Sequence, residues 1–266
     1  MKLRKKIGVI TACLAVGLMV LAGCGKKQGG QTSQDNNAQA QKVAGSAAKR
    51  LSKVDSMQIR LSSQSVSSGK KTKDSRFNYN MDIAYTRDPD AMRINTIVKQ
   101  GKKSSSLPVY MDDYDVYSQT GSKGSWKKND AQSAGFDFDT QREEYSGITV
   151  LKDLKDSKKT KLVSGKKTYT LKYQGSGDDA ADLVKQILGV GSPGNDSGMG
   201  AVIDSMNVKN LTYQIKLDKK TKLPESYYAN VTLQTKSGKK ATQKQVISGS
   251  FSHVNDIEKI KLPQVK

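Results

Sequence analysis

Few residues of this sequence could carry catalytic or metal chemistry. His253 is the only histidine, and the two cysteines are Cys13 and Cys24. A Ser-His-Asp triad pairs its histidine with a nucleophile, and a zinc site of the multi-histidine kind needs several histidines. No nucleophile pattern stands near His253, which we therefore interpret as a surface residue at a strand end. The sequence predicts neither a triad nor a zinc site.

Acidic residues form two short clusters, at residues 112–115 and 137–139. Paired carboxylates could in principle act as general acid and base in glycoside hydrolysis. Neither cluster has the EF-hand spacing with its central Gly and terminal Glu. Asp112 and Asp113 fit a turn and Asp139 fits a helix cap. The sequence thus favours structural roles, and predicts that the protein is not an enzyme and holds no metal.

Gly189-x-Gly191-x-x-Gly194 matches the G-x-G-x-x-G pattern of dinucleotide-binding loops. Such a site requires a strand before the glycines and a helix after them. Here a helical pattern precedes the glycines, and Pro193 lies among them. We interpret the segment as a connector, with a mobile lid over a cavity mouth as the alternative, and we expect no cofactor.

The N-terminus has the pattern of an export signal. Four basic residues within the first six positions precede an apolar run over residues 7–21, which is short for a membrane span. Leu21-Ala22-Gly23-Cys24 then resembles the lipobox of bacterial lipoproteins at all four positions. The resemblance implies a signal peptide over residues 1–23, a diacylglycerol thioether on Cys24, and a lipid anchor at the extracytoplasmic face of the cell membrane. A single membrane anchor with an incidental cysteine is the alternative.

The chain is strongly basic, with a formal charge of +20 that becomes +16 once the four basic residues of the signal are removed. For an exported protein, the expected anionic partners are lipid headgroups or cell-wall polymers. Nucleic acid is not an expected partner, because export removes the protein from it. Lysines that only keep strand faces and turns soluble are the alternative interpretation.

Residue spacing predicts the elements that position these groups. Residues 24–39 are polar and predict a flexible tether. Helical periodicity predicts three helices, one over residues 40–54, one after a capping box at Thr140 and one after Asp178. About ten other segments alternate apolar and polar residues with a period of two, which predicts strands. Alternation of this kind is typical of antiparallel sheets with one dry face. We predict an α+β fold over residues 40–266, with a large curved antiparallel sheet, about three short helices on its concave face, and a monomeric state.

The dry face of the central strands is the candidate ligand site. The apolar residues assigned to it are Met81, Ile83, Ile94, Leu211, Tyr213, Ile215 and Val231. If the helices cover this face incompletely, the remaining surface forms a cavity, and inward tyrosines such as Tyr79 and Tyr227 could add polar tips to its wall. Ordinary sheet packing is the alternative role for these side chains.

Four motifs resemble a known group. They are Tyr85-x-x-x-Pro89-x-x-Met92, Tyr110, Tyr117 and Trp126 spaced over a strand pair, Asp218-x-x-Thr221-x-Leu223-Pro224, and the closing Phe251, Asn255, Ile260, Leu262 and Pro263. Over residues 40–265 the chain resembles the LolA/LppX-like lipoprotein-localisation superfamily, and in particular the Firmicutes lipoproteins of the DUF6612 type. The resemblance implies an unclosed half-barrel with helices in its concavity and an apolar cavity for acyl chains.

We therefore expect a tethered protein that binds a lipid or other amphiphile in a cavity of the sheet. The alternative is a non-catalytic interaction protein whose basic surface binds anionic wall polymer, anionic lipid headgroups or a protein partner.

Substitution of Cys24 tests the anchor. Cys24→Ala should leave the precursor unprocessed or release the protein from the membrane, because each buried acyl CH₂ contributes about 0.8 kcal/mol to anchoring. Membrane fractionation and mass spectrometry of the N-terminus measure both outcomes. Cys13→Ala is the matched control and should be processed and retained. A Cys24→Ala protein that behaves like the parent would contradict the lipobox assignment.

Overall fold

One antiparallel sheet forms the body of the protein. Within the part of the chain that the structure describes it has eleven strands: β1 (Ser56–Gly69), β2 (Thr72–Arg87), β3 (Asp90–Gln100), β4 (Lys103–Met111), β5 (Asp115–Gln119), β6 (Trp126–Asp130), β7 (Lys161–Ser164), β8 (Thr168–Gly175), β9 (Met206–Asp218), β10 (Pro224–Thr235) and β11 (Ala241–Ser252). Their order across the sheet is β6-β5-β4-β3-β2-β1-β11-β10-β9-β8-β7. The sheet is thus an open half-barrel with β6 and β7 at its edges, and the predicted fold class is confirmed.

The computed structural model describes residues 33–69, 72–101, 103–119, 124–189, 199–236, 238 and 240–265. These residues belong to one compact unit that spans Thr32–Lys266. The predicted signal peptide, Cys24 and the first part of the predicted tether lie outside the described residues. So does most of the glycine-rich segment after Gly189.

The two faces of the sheet differ because successive side chains along a strand point to opposite sides. On β1, Met57, Ile59 and Leu61 are buried, whereas Gln58 is half-buried and Arg60 is exposed. The same period of two runs through β9, β10 and β11. We call the side that carries the buried residues the inner face and the opposite side the outer face.

Helices accompany the sheet at three points of the chain. Among the described residues they are α1 (Ser33–Leu51), α2 (Phe138–Ser146), α3 (Ile148–Asp156), α4 (Ala181–Gly189) and α5 (Met199–Asp204), with a 3₁₀ turn at Asp178–Ala180. α1 begins seven residues before the predicted start, so residues 33–39 of the predicted tether are helical. α5 has no counterpart in the sequence prediction, which places a loop over residues 189–200.

The predicted second helix is divided by Gly147. Its φ of 80° is left-handed, and its N–H donates to the carbonyl oxygens of Glu143 and Glu144, which ends α2. Glycine is favoured at this position because it has no Cβ to clash. The cap also differs from the predicted capping box, since the Thr140 N–H donates to Oδ1 of Asp137 at 2.7 Å. Asp137 therefore starts the helix, three residues before Thr140.

The first turn of α1 is fixed by the edge strand β7. The Asn36 Nδ2 donates to the Leu162 carbonyl oxygen at 2.9 Å, and its Oδ1 accepts from the Leu162 N–H at 2.8 Å. Asn37 donates to the carbonyl oxygens of Ser157 and Thr160. These bonds explain the early start of α1, because tertiary contacts compensate for a polar first turn of low helix propensity.

A tyrosine ring occupies the space above a glycine at the centre of the sheet. Tyr227 on β10 pairs directly with Gly249 on β11. A Cβ atom on Gly249 would stand 2.0 Å from Cε1 of Tyr227. The same ring stacks on Tyr213, with centroids 6.0 Å apart, and contacts Phe251 at 5.9 Å. Glycine is therefore required at position 249, because a side chain there would clash with the Tyr227 ring.

Gly249→Ala should destabilise the protein by about 1–3 kcal/mol, because the added methyl group displaces the packed Tyr227 ring. Urea unfolding followed by circular dichroism measures the change. Gly189→Ala is the matched control, since no atom lies within 4 Å of a Cβ there. Equal effects of the two substitutions would show that the ring gives way without cost.

Candidate functional site

The seven apolar residues predicted to line a cavity all lie on the inner face. Each is between 0% and 5% exposed and belongs to the hydrophobic core. Ile83 pairs with Ile94 across β2 and β3, and Leu211 pairs with Val231 across β9 and β10. In this structure their role is packing, and a ligand-lining role for them stays a prediction.

The side chains of the inner face become more exposed toward the start of β2, the end of β3 and the start of β4. Along β2, exposure rises from 0% at Tyr85 through 5% at Met81 to 40% at Phe77. Leu107 on β4 is 44% exposed. Tyr79 on β2 and Val98 on β3 are half-buried and pair with each other. The rings of Phe77 and Tyr79 have centroids 6.0 Å apart. We name Phe77, Tyr79, Val98 and Leu107 the apolar rim.

A polar strip lies next to the apolar rim on the same face. It consists of Ser63 and Ser65 on β1 and Gln243 and Gln245 on β11. The Gln245 Nε2 donates to the Ser63 hydroxyl at 2.9 Å, and the Gln243 Nε2 donates to the Ser65 hydroxyl at 3.3 Å. Ser63 and Ser65 are also the direct partners of Tyr79 and Phe77 on β2. An apolar surface and a hydrogen-bonding surface therefore meet along the β1–β2 pair.

Sequence reasoning missed the polar strip. The alternation of Met57, Ile59 and Leu61 continues in phase through Ser63 and Ser65, so the signal was present in the spacing. Serine and glutamine at inward positions are buried only when they are hydrogen-bonded. The bonds between β1 and β11 supply that requirement, and they join strands about 180 residues apart.

Burial dominates the tyrosines of the inner face. It raises the pKa of Tyr79, an effect that a hydrogen bond with Ser63 partly offsets. It also raises the pKa values of Tyr213 and Tyr227. The hydroxyls on this face therefore stay neutral at physiological pH and can act as hydrogen-bond donors.

The outer face carries a groove of about 540 Å³ across β11, β1, β2 and β3. Its lining includes Arg60, Asn80, Asp82, Asn95 and Ser248. A second groove of about 430 Å³ shares Asp82 and Asn95 with the first and continues across β4 and β5. We call the two together the outer groove. The main chain of Met81 also borders the outer groove, whereas the side chain of Met81 points to the inner face.

The candidate catalytic residues have structural partners. Oδ1 of Asp112 accepts from the N–H groups of Tyr114 and Asp115 at 2.9 and 2.7 Å, which closes the turn between β4 and β5. Asp139 accepts two bonds from Arg142 on α2. His253 is exposed, with its Nδ1 3.8 Å from Asp256. Across the described residues, no group of three His, Cys, Asp or Glu side chains could hold a metal ion.

The family model of the Family of unknown function (DUF6612) matches residues 39–265. The chain belongs to this family. That part of the predicted resemblance is confirmed. Comparison of the DUF6612 chain with curated proteins gives no significant match. In the described part of the chain, no helix is both long and apolar enough to cross a membrane.

Solved structures similar to the DUF6612 chain include a LolA superfamily protein from Nitrosomonas europaea, at 9% identity, 84% coverage of this chain, 94% of that chain and a TM-score of 0.23. A beta-barrel-like protein of the DUF1849 type from Brucella abortus has 9% identity, coverages of 75% and 99%, and a TM-score of 0.26. A DUF1329 family protein from Desulfovibrio piger has 8% identity, coverages of 80% and 91%, and a TM-score of 0.25. The half-barrel of the DUF6612 chain is defined by its own strand pairing.

Tyr85 on β2 and Arg142 on α2 are buried polar side chains of the DUF6612 chain. The Tyr85 hydroxyl and Nη1 of Arg142 are both buried, and neither has a hydrogen-bond partner among the described residues. Burial raises the pKa of Tyr85 to about 12, although the positive charge of Arg142 partly opposes the rise. Tyr85 therefore stays protonated in the folded protein at pH values where an unfolded tyrosine ionises.

The raised pKa of Tyr85 predicts a loss of stability in alkali. Its contribution is fully present below pH 10 and is lost as the pH rises from 10 toward 12, with a slope of about 1.4 kcal/mol per pH unit. Tyr85→Phe should reduce that slope and should cost little at neutral pH, since the hydroxyl makes no bond. Urea unfolding between pH 9 and about 11.5 measures it. Tyr114→Phe, at a position 76% exposed, is the matched control, and equal slopes for both variants would contradict the assignment.

Proposed function

We propose that the protein is a non-catalytic binding protein, tethered to the extracytoplasmic face of the membrane through Cys24, that binds an amphiphile at the open end of the inner face. One observation carries the proposal: the apolar rim directly adjoins the polar strip. A lipid or related amphiphile matches this arrangement, because it presents an apolar chain beside a hydrogen-bonding head.

The apolar rim is more than scattered surface hydrophobicity. Single exposed apolar side chains are normal in soluble proteins. Phe77 and Leu107, however, lie on the face that forms the core elsewhere. Tyr79 follows Phe77 on the same face of β2 and pairs with Val98, whose partner on β4 is two residues from Leu107. A cluster of partly exposed apolar side chains on one face, bordered by polar groups, is typical of ligand sites. A ligand that covers it removes the exposed area from water.

The polar strip would receive the head of the ligand. Its hydrogen bonds hold the side chains in place before binding, so little side-chain entropy is lost on association. The Gln243 side chain is half-buried and keeps its carbonyl oxygen as an acceptor at the edge of the strip. A ligand head with a hydroxyl, amide or protonated acid group fits this lining.

Tethering and the positive charge support the same proposal. The lipobox-like residues 21–24 would hold the domain at a membrane, where amphiphiles are concentrated. The charge of +16 after signal removal would attract the anionic headgroups of that membrane. The absence of catalysis is proposed because Asp112, Asp137 and Asp139 are engaged in a turn, a cap and an ion pair.

Substitutions in the apolar rim test the ligand site. The unit of residues 32–266 should bind a fluorescent fatty-acid analogue saturably. Phe77→Ser or Leu107→Ser should each weaken binding about three- to eight-fold, because full burial of such a side chain contributes about 1.5–3 kcal/mol and a ligand would cover only the exposed two fifths of it. Fluorescence titration measures the Kd, and thermal melting checks that the variants fold.

Two apolar residues of the outer face provide matched controls. Tyr228 is as exposed as Phe77, at 40%, and Val163 is 48% exposed. Tyr228→Ser and Val163→Ser should bind the analogue like the parent. The proposal fails if the parent shows no saturable binding, or if the control substitutions weaken binding as much as those in the apolar rim.

A further inference from the structure

The outer groove is a second candidate surface, separate from the apolar rim. We propose that it binds a neutral, polyhydroxylated chain such as a glycan strand, laid across the strands of the sheet. The two sites lie on opposite faces, so each can be changed without altering the other.

The lining of the outer groove offers free hydrogen-bonding groups. The side chains of Ser62, Asn80, Ser248 and Ser250 make no hydrogen bond to other described residues, although they line the groove side by side. Hydroxyl and amide groups both donate and accept. Sugar hydroxyls also do both, so they can pair with such a lining without leaving a partner unsatisfied.

Asp82 stands where the two parts of the outer groove meet. The Gln58 Nε2 donates to its carboxylate at 3.0 and 3.1 Å, and Nε of Arg60 donates at 3.3 Å. Arg93 lies 3.7 Å away on the other side. The carboxylate is thus held in a defined orientation and keeps capacity to accept from a ligand hydroxyl.

The same contacts argue for a neutral ligand. Arg60 and Arg93 share the Asp82 carboxylate, which partly neutralises the two positive charges that the groove lining offers to an anion. An anionic polymer would have to compete with Asp82 for both arginines. A neutral polyol instead uses arginine and carboxylate together, as donors and acceptor.

One end of the outer groove carries an aromatic pair. Tyr110 lines the groove on β4 and meets Trp126 of β6 edge to face, with ring centroids 5.4 Å apart. The pair fixes the orientation of the Tyr110 ring. A fixed aromatic ring beside amides and hydroxyls provides an apolar surface for the C–H face of a sugar ring.

The length of the outer groove favours a chain over a small molecule. Ser250, Arg60, Asp82, Asn95 and Pro108 are in direct register across β11, β1, β2, β3 and β4. Four inter-strand spacings of about 4.8 Å make this row about 19 Å long. A ligand that follows the row is therefore extended and runs across the strands.

Binding of chitohexaose, a soluble neutral oligosaccharide, tests the proposal. The purified full chain, prepared without sugar-based detergents, should bind it saturably in calorimetry. Asp82→Ala and Tyr110→Ala should each weaken binding about ten-fold. Asp82→Ala should keep its thermal stability, because the ion pairs of Asp82 are exposed and contribute little to folding. Thermal melting of Tyr110→Ala checks that this variant still folds, because the substitution also removes the contact with Trp126. Tyr114→Ala, which removes an exposed aromatic residue outside the groove lining, should bind like the parent.

A parallel titration with polyglycerol phosphate separates the two kinds of polymer. If an anionic polymer were the ligand, Asp82→Ala would strengthen its binding, because Arg60 and Arg93 would be freed, and about 0.5 M NaCl would abolish it by screening. That result, or no saturable binding of chitohexaose by the parent, would overturn the proposal. Loss of fatty-acid binding in the Asp82→Ala protein would also count against it, because the two sites would then not be independent.

Discussion

Twelve consecutive residue pairs join β1 to β11, from Gln58 opposite Ser252 to Gly69 opposite Ala241. Every other pairing among the described strands links neighbours in sequence, so the chain forms two meanders, β1 to β6 and β7 to β11. The β1–β11 pairing unites them into one sheet. It closes a loop of nearly the whole domain, which costs chain entropy that only a long run of hydrogen bonds and buried side chains can offset.

Both candidate surfaces depend on this pairing. On the inner face it places Ser63 and Ser65 against Gln245 and Gln243, which produces the polar strip. On the outer face it places Ser248 beside Ser62, which extends the outer groove beyond β1. A shift of register by one residue would exchange the two faces, so the alternation that buries the core also assigns each polar side chain to its surface.

Much of the fold can be predicted from the sequence because its signals are local. The strict period of two in β9, and on β2 around Met81 and Ile83, identifies strands with one dry face, and the antiparallel sheet is the expected consequence. The break at Gly147 and the early start of α1 were not accessible in this way. The first depends on a left-handed backbone angle and the second on bonds from Asn36 and Asn37 to distant residues.

The candidate surfaces were less accessible than the fold. Sequence periodicity assigns a side chain to a face, but exposure along that face depends on where the helices lie. Met81 and Phe77 have the same phase on β2 and differ from 5% to 40% in exposure. The outer groove is harder still to predict from the sequence. Its row of residues from Ser250 to Pro108 comes from five strands, and the register of those strands is set by their pairing.

The contact between Asn36 and Leu162 has a consequence for the protein in concentrated solution. A single side-chain amide makes the two hydrogen bonds to Leu162 that the backbone of an adjacent strand would otherwise make. An exposed edge with free N–H and C=O groups is a template for pairing with another molecule. Asn36 therefore acts as a chemical cap on β7. Loss of the Asn36 side chain would therefore favour self-association more than unfolding, because a second copy could add its own strand to the unprotected edge.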